Sequence, residues 1–135
     1  MNLRFRIIGS AVAALFCSSL SAQSDIEMIT SGYFGGSGSE GTGDHRHSAT
    51  MSTSSGGWIM ASNTTSLDWW VSGDALISSR PGPVAIALAR FEQDGTPLYS
   101  TFLGGSGPDV FSSLVPLGDS LILIGTTQSS DYPIT

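Results

Sequence analysis

Asp44-His45-Arg46-His47, with Glu40 just before it, is the stretch of the sequence whose residue types could build a metal site. Imidazoles and carboxylates suit zinc and similar ions, and a His-x-His on a strand sets both rings on one face. Four tetrahedral ligands are not evident, and the cluster falls within or beside an insertion in a repeated unit. The expectation is a solvated polar loop, with Asp44, His45 and His47 as the metal candidates. Asp109, Asp119 and Asp131 could serve as calcium ligands, but their spacing lacks the dense alternation of a calcium-binding loop. Aspartates at strand ends and turns more often accept backbone hydrogen bonds.

Two glycine runs superficially resemble phosphate cradles, Gly35-Gly36-Ser37-Gly38 and Gly104-Gly105-Ser106-Gly107. No lysine follows either, and neither precedes a helical pattern. Their recurrence points to turn geometry, so Gly35, Gly36, Gly38, Gly104, Gly105 and Gly107 are expected to be structural turn positions. A serine hydrolase needs a base and an orienting acid beside its nucleophile. The only histidines are His45 and His47, and no Gly-x-Ser-x-Gly elbow occurs. The expectation is therefore a protein without catalytic residues or a cofactor. Trp58, Trp69 and Trp70 could stack on a carbohydrate if exposed. Core packing is the plainer reading for Trp58 and Trp69, which align with Leu121 and Tyr132 of a second copy, whereas Trp70 has no apolar counterpart.

The elements that would position these residues come from an internal repeat. Phe34-Gly35-Gly36-Ser37-Gly38 recurs as Leu103-Gly104-Gly105-Ser106-Gly107, and Trp58 to Trp69 lines up without gaps on Leu121 to Tyr132. The second offset is six residues shorter, which places the insertion in the first copy between Gly38 and Ala49. Short strand signals alternate with turn chemistry. Val84 to Phe91 and Leu98 to Leu103 flank Asp94-Gly95, a pair suited to the positive φ of tight turns, with Pro97 at the start of the return strand, where a missing N–H matters least. Val110 to Val115 pairs with Leu121 to Thr126, and Ser48 to Ser52 with Trp58 to Asn63. Val84 to Ala89 and Leu121 to Ile124 are apolar on both faces and should be covered from both sides.

Arg4 and Arg6 precede an apolar run from Ile7 to Phe16, and small residues follow through Ala22. This is the layout of a secretory signal peptide, and the run is too short to span a bilayer. Cleavage after Ala22 would remove Cys17, which follows Phe16 rather than the small residue a lipid-attachment site prefers. The remainder would have no cysteine and would rest on packing alone. The chain has no lysine and a net charge of −6, made more negative by loss of Arg4 and Arg6, so nucleic acid is repelled. With 40% hydrophobic and 12% charged residues it is too apolar for disorder, and 17 glycines sit poorly with long helices.

Tyr99-Ser100-Thr101-Phe102-Leu103-Gly104-Gly105-Ser106-Gly107 and Gly125-Thr126-Thr127-Gln128-Ser129-Ser130-Asp131-Tyr132-Pro133 resemble the bacterial β-propeller repeat abbreviated SBBP. The likeness covers about residues 32 to 135. Pro108 and Pro116 stand where that family usually has aspartate, the first copy lacks Tyr-Ser-Thr before its glycines, and Trp70 replaces a proline. The resemblance implies an all-β partial propeller of about two antiparallel blades, preceded by a signal-peptide helix over 1–22. Copy 1 would span about 32–70, and the linker with copy 2 about 71–135. Two copies fall short of the three or so that repeat architectures need, so a fragment, or assembly with other chains to complete the propeller, is expected. The reading is an exported structural or binding module at the periplasm, cell surface or exterior. Its partner would be an extracellular protein or polysaccharide, with no membrane span after signal cleavage. The alternative is a remnant of an exported propeller enzyme acting on glycans.

Overall fold

The computed structural model describes residues 3–9, 26–41, 48–118 and 120–133, with side chains from residue 32 onward. Two compact units divide the chain, Met1–Phe34 and Gly35–Thr135. In the first, β1 (Leu3–Gly9) and β2 (Ile26–Tyr33) pair in parallel, with a register shift between Phe5 and Arg6. The expected signal-peptide helix is thus corrected where it can be examined: Leu3–Gly9 is a strand, rich in the Phe and Ile that favour extended backbone. Residues 10–25 lie outside the described residues, and no helix occurs among those described.

The second unit holds a four-stranded antiparallel meander of β3 (Ser48–Ser52), β4 (Trp58–Thr64), β5 (Ala85–Phe91) and β6 (Pro97–Leu103). A separate two-stranded sheet is formed by β7 (Asp109–Leu117) and β8 (Ser120–Thr127). Tight turns close the short connections. Between β5 and β6, Glu92 N–H donates to Thr96 O and Gly95 N–H to Glu92 O, with Gly95 at φ 88°, while Asp94 Oδ1 accepts Thr96 N–H at 2.8 Å. A side chain at that φ is strained, which is why Asp-Gly serves there.

Register puts alternate residues of the meander on two faces. Ala49, Ala61 and Leu88 lie in one cross-strand row, and Asn63, Ile86 and Leu103 in the next. This face meets β7 and β8 in one core, where Ala61, Ile86 and Phe111 are buried and Ala49, Leu88, Leu103, Leu114 and Leu123 pack around them. Asn63, fully buried, ties the layers together by accepting the Phe111 N–H at 2.6 Å on its side-chain oxygen. The opposite face carries Ala87, Ala89, Ser100 and Phe102, all buried. Trp69, only 4% exposed, reaches this face and donates its indole N–H to Ser100 Oγ at 2.9 Å. Trp58 stacks on Phe91 with ring centroids 4.2 Å apart. The outer edge of β6 is not bare: Ser72 N–H donates to Ser100 O, and Phe102 N–H to Ile77 O.

All-β composition stands, but the partial β-propeller is overturned. Among the described residues no sheet closes, and the sheets are not arranged in a circle as a propeller requires. The physical reason lies in strand pairing. Antiparallel pairing of β4 with β5 joins the first-copy hairpin to the hairpin that follows the long connection, in one open four-stranded sheet. What remains, β7–β8, caps one face of that sheet in two layers.

Candidate functional site

The residues singled out as chemistry fall at two places, and the described glycine runs are the better defined. In the second copy, Gly105 N–H donates to Asp109 Oδ2 at 2.7 Å, Ser106 N–H and Oγ–H donate to Asp131 Oδ1 at 2.8 and 2.9 Å, and Gly107 N–H donates to Ser129 Oγ at 2.9 Å. Ser129 Oγ–H in turn donates to Asp109 Oδ2 at 2.9 Å. The first copy repeats this bond for bond. Gly36 N–H donates to Glu40 Oε1 at 2.9 Å, Ser37 N–H and Oγ–H to Asp68 Oδ1 at 2.8 and 3.0 Å, Gly38 N–H to Ser66 Oγ at 2.9 Å, and Ser66 Oγ–H to Glu40 Oε1 at 2.6 Å.

Each loop therefore presents two amides to the protein's own carboxylates and a third to a serine hydroxyl that is itself bonded to one of them. No room is left for a phosphate at these N–H groups. The crowding explains the residue type: a Cβ on Gly107 would lie 2.7 Å from Gln128 O, and one on Gly104 would lie 2.6 Å from Asp109 Oδ2 at a φ of 151°. Gly36, Gly38 and Gly105 meet comparable crowding from Ser66 and Ser129.

Asp109 is buried at the first position of β7, and Ser129 follows the end of β8, so their bond clasps the base of the hairpin. Asp109 N–H also donates to Val84 O beside β5. Its Oδ1 and the Oε2 of Glu40 are buried without a hydrogen-bond partner among the described residues. Glu40, grouped with the metal candidates on the sequence, is the counterpart of Asp109. Its position after the glycine run matches that of Asp109, the signal by which the sequence could have shown the role. The equivalence also narrows the insertion to the stretch between Glu40 and Ala49. Asp44, His45 and His47 lie there, outside the described residues, as does Asp119. Among the described residues no group of three or more His, Cys, Asp or Glu is placed to hold a metal ion.

Electrostatics follow from these bonds. The Ser37 backbone N–H, then its hydroxyl, hold Asp68 below the ordinary carboxylate value, and Ser106 does the same for Asp131. Burial pushes the Tyr132 hydroxyl up, and the negative charge of Asp109 adds to it. A carboxylate with a depressed folded pKa contributes stability that is present above its unfolded pKa and is lost as pH falls through the folded one. Acid titration of unfolding should show this loss below about pH 4, and Asp68→Asn with Asp131→Asn should shrink it. An acid limb unchanged in the double variant would contradict the assignment.

The second place is the outer face of β7–β8. Pairing sets Val115 opposite Ile122, Ser113 opposite Ile124 and Leu117 opposite Ser120, all on one side. Leu114 and Leu123 point the other way, into the core. Val115, Leu117, Ile122 and Ile124 are 39, 60, 43 and 48% exposed. The sequence showed that this strand was apolar on both faces, and cover on both was expected; the structure covers one. Trp70 is 44% exposed, unlike Trp69 beside it.

No family model, curated protein or solved structure matches the chain. Together with the unclosed sheets, this overturns the resemblance to the SBBP propeller repeat, and with it the module or enzyme remnant built on that architecture. Among the described residues, no helix is long and apolar enough to cross a membrane.

Proposed function

We propose that this chain is an exported, non-catalytic interaction domain that contacts another protein through the outer face of β7–β8. The observation that carries the reading is the set of four large apolar side chains, Val115, Leu117, Ile122 and Ile124, exposed together on one hairpin face. Single exposed apolar residues are ordinary, whereas a contiguous cluster marks an interaction surface. The clasp formed by Asp109 and Ser129 holds the base of that hairpin, which favours a presented, pre-ordered surface and lowers the entropy lost on binding. Export is supported by the charged, apolar and small-residue order of the first 22 positions.

A photo-crosslinking residue placed at Ile122, in the full chain within producing cells, should give a protein adduct. The same residue at Leu67, more exposed at 76% but on the loop that follows β4, should not. Equal labelling at the two positions, or none at Ile122, would remove the basis for this function.

A further inference from the structure

We infer that a second copy of the chain joins edge to edge along β8 into a continuous antiparallel sheet, which sets the exposed outer faces of the two chains side by side. The inference rests on the interaction reading above and adds the identity and geometry of the partner.

The internal repeat supplies the template. β8 is the counterpart of β4, since Leu121 to Thr127 align with Trp58 to Thr64 and Ser129 and Asp131 repeat the bonding of Ser66 and Asp68. β4 has a strand on both sides, β3 and β5, whereas β8 pairs with β7 alone among the described residues. The difference shows in burial. The last four residues of β4 are buried, and the last four of β8 are exposed. A strand edge leaves N–H and C=O groups free to pair with an extended chain. Of the other edges, β6 is already occupied by Ser72 and Ile77 of the same chain, β3 is only 5 residues long, and β7 is interrupted by Pro116 and by the register shift between Phe111 and Ser113.

Charge and pattern select the occupant. The chain carries a net charge of −6, so two copies repel one another over most of their surfaces, but no charged residue lies within Ser120–Thr127. Strand β8 is also complementary to itself. An antiparallel pairing centred on Leu123 sets Ile122 opposite Ile124, Leu121 opposite Gly125 and Ser120 opposite Thr126. The two exposed outer faces would then run together as one apolar band, with cross-strand Ile–Ile pairs of the kind that stabilise sheets. The symmetry is twofold and closed, so the assembly stops at two chains.

Sedimentation equilibrium of the full chain over a wide concentration range should give twice the chain mass. In a Cys17→Ser background, Leu123→Cys should form a disulfide-linked dimer on mild oxidation, because paired residues at the twofold axis bring their Cα atoms to within disulfide reach. Val115→Cys, on β7 one strand removed from the edge, should not. A monomer at every concentration overturns the second copy as partner. A dimer trapped by Val115→Cys and not by Leu123→Cys overturns the edge pairing in favour of face-to-face stacking. Neither result touches the wider reading, which stands or falls on the Ile122 adduct.

Discussion

Replacing Phe111 with alanine should lower the unfolding free energy by about 3–5 kcal/mol, the range for emptying a buried aromatic site. Phe111 is fully buried, it forms a core with Ala61 and Ile86, and it is the large side chain that β7 sends into the four-stranded sheet. Its two cluster partners belong to β4 and β5, so the cavity would open between the layers. Urea unfolding measures the effect as a lower midpoint at unchanged slope. The Phe111 N–H stays bonded to Asn63 in this variant, so the loss reports packing alone. A change below about 1 kcal/mol, the size of an ordinary surface effect, would mean that the two layers do not share this core.

The second large effect belongs to Asp109. Alanine there strips the acceptor from Gly105 N–H and from Ser129 Oγ. Each buried donor left unpaired costs about 1–3 kcal/mol. The equivalent change at Asp131, whose carboxylate is exposed, should cost less because water replaces the lost partner. The ordering is open to direct measurement by comparing unfolding midpoints of Asp109→Ala and Asp131→Ala. Equal costs would show that the clasp contributes no more than a surface bond. The same comparison separates the two tasks within each loop, an inner acid that closes the hairpin base and an outer acid that fastens the serine.

Much of the local structure was legible in residue order. Alternation and turn residues locate all six strands of the second unit, and Asp94-Gly95 marks the turn it forms. The recurrence of glycine, serine and aspartate carried the loop architecture too, because a motif held by local and repeated hydrogen bonds leaves its whole apparatus in the sequence. What residue order does not carry is the choice of partner between hairpins. Pairing of β4 with β5 is decided by the fit of Ala61 against Leu88 and Asn63 against Ile86 across a long connection, and nothing near Trp58 or Ala85 announces it. The same limit explains the propeller expectation. Strands apolar on both faces are equally suited to radial neighbours or to two layers, and the face of β5 that carries Ala87 and Ala89 is the face that Trp69 reaches. Pro116 was read as a departure from a family pattern, yet it is accommodated near the exposed tip of the hairpin, opposite Leu121.

The long connection between β4 and β5 has a consequence for how the chain reaches this state. Among the described strands, three antiparallel pairings join neighbours linked by a few residues, and β4–β5 alone of the four gathers ends held far apart along the backbone. Loop-closure entropy rises with the length enclosed, so the small hairpins β3–β4, β5–β6 and β7–β8 can each zip independently. The seam between them is the step that waits. Arg80, which donates to Thr65 O from within that connection, tacks its far end back to the start and shortens the effective loop. Closing of the four-stranded sheet thereby depends on a segment that contributes no strand to either sheet of that unit.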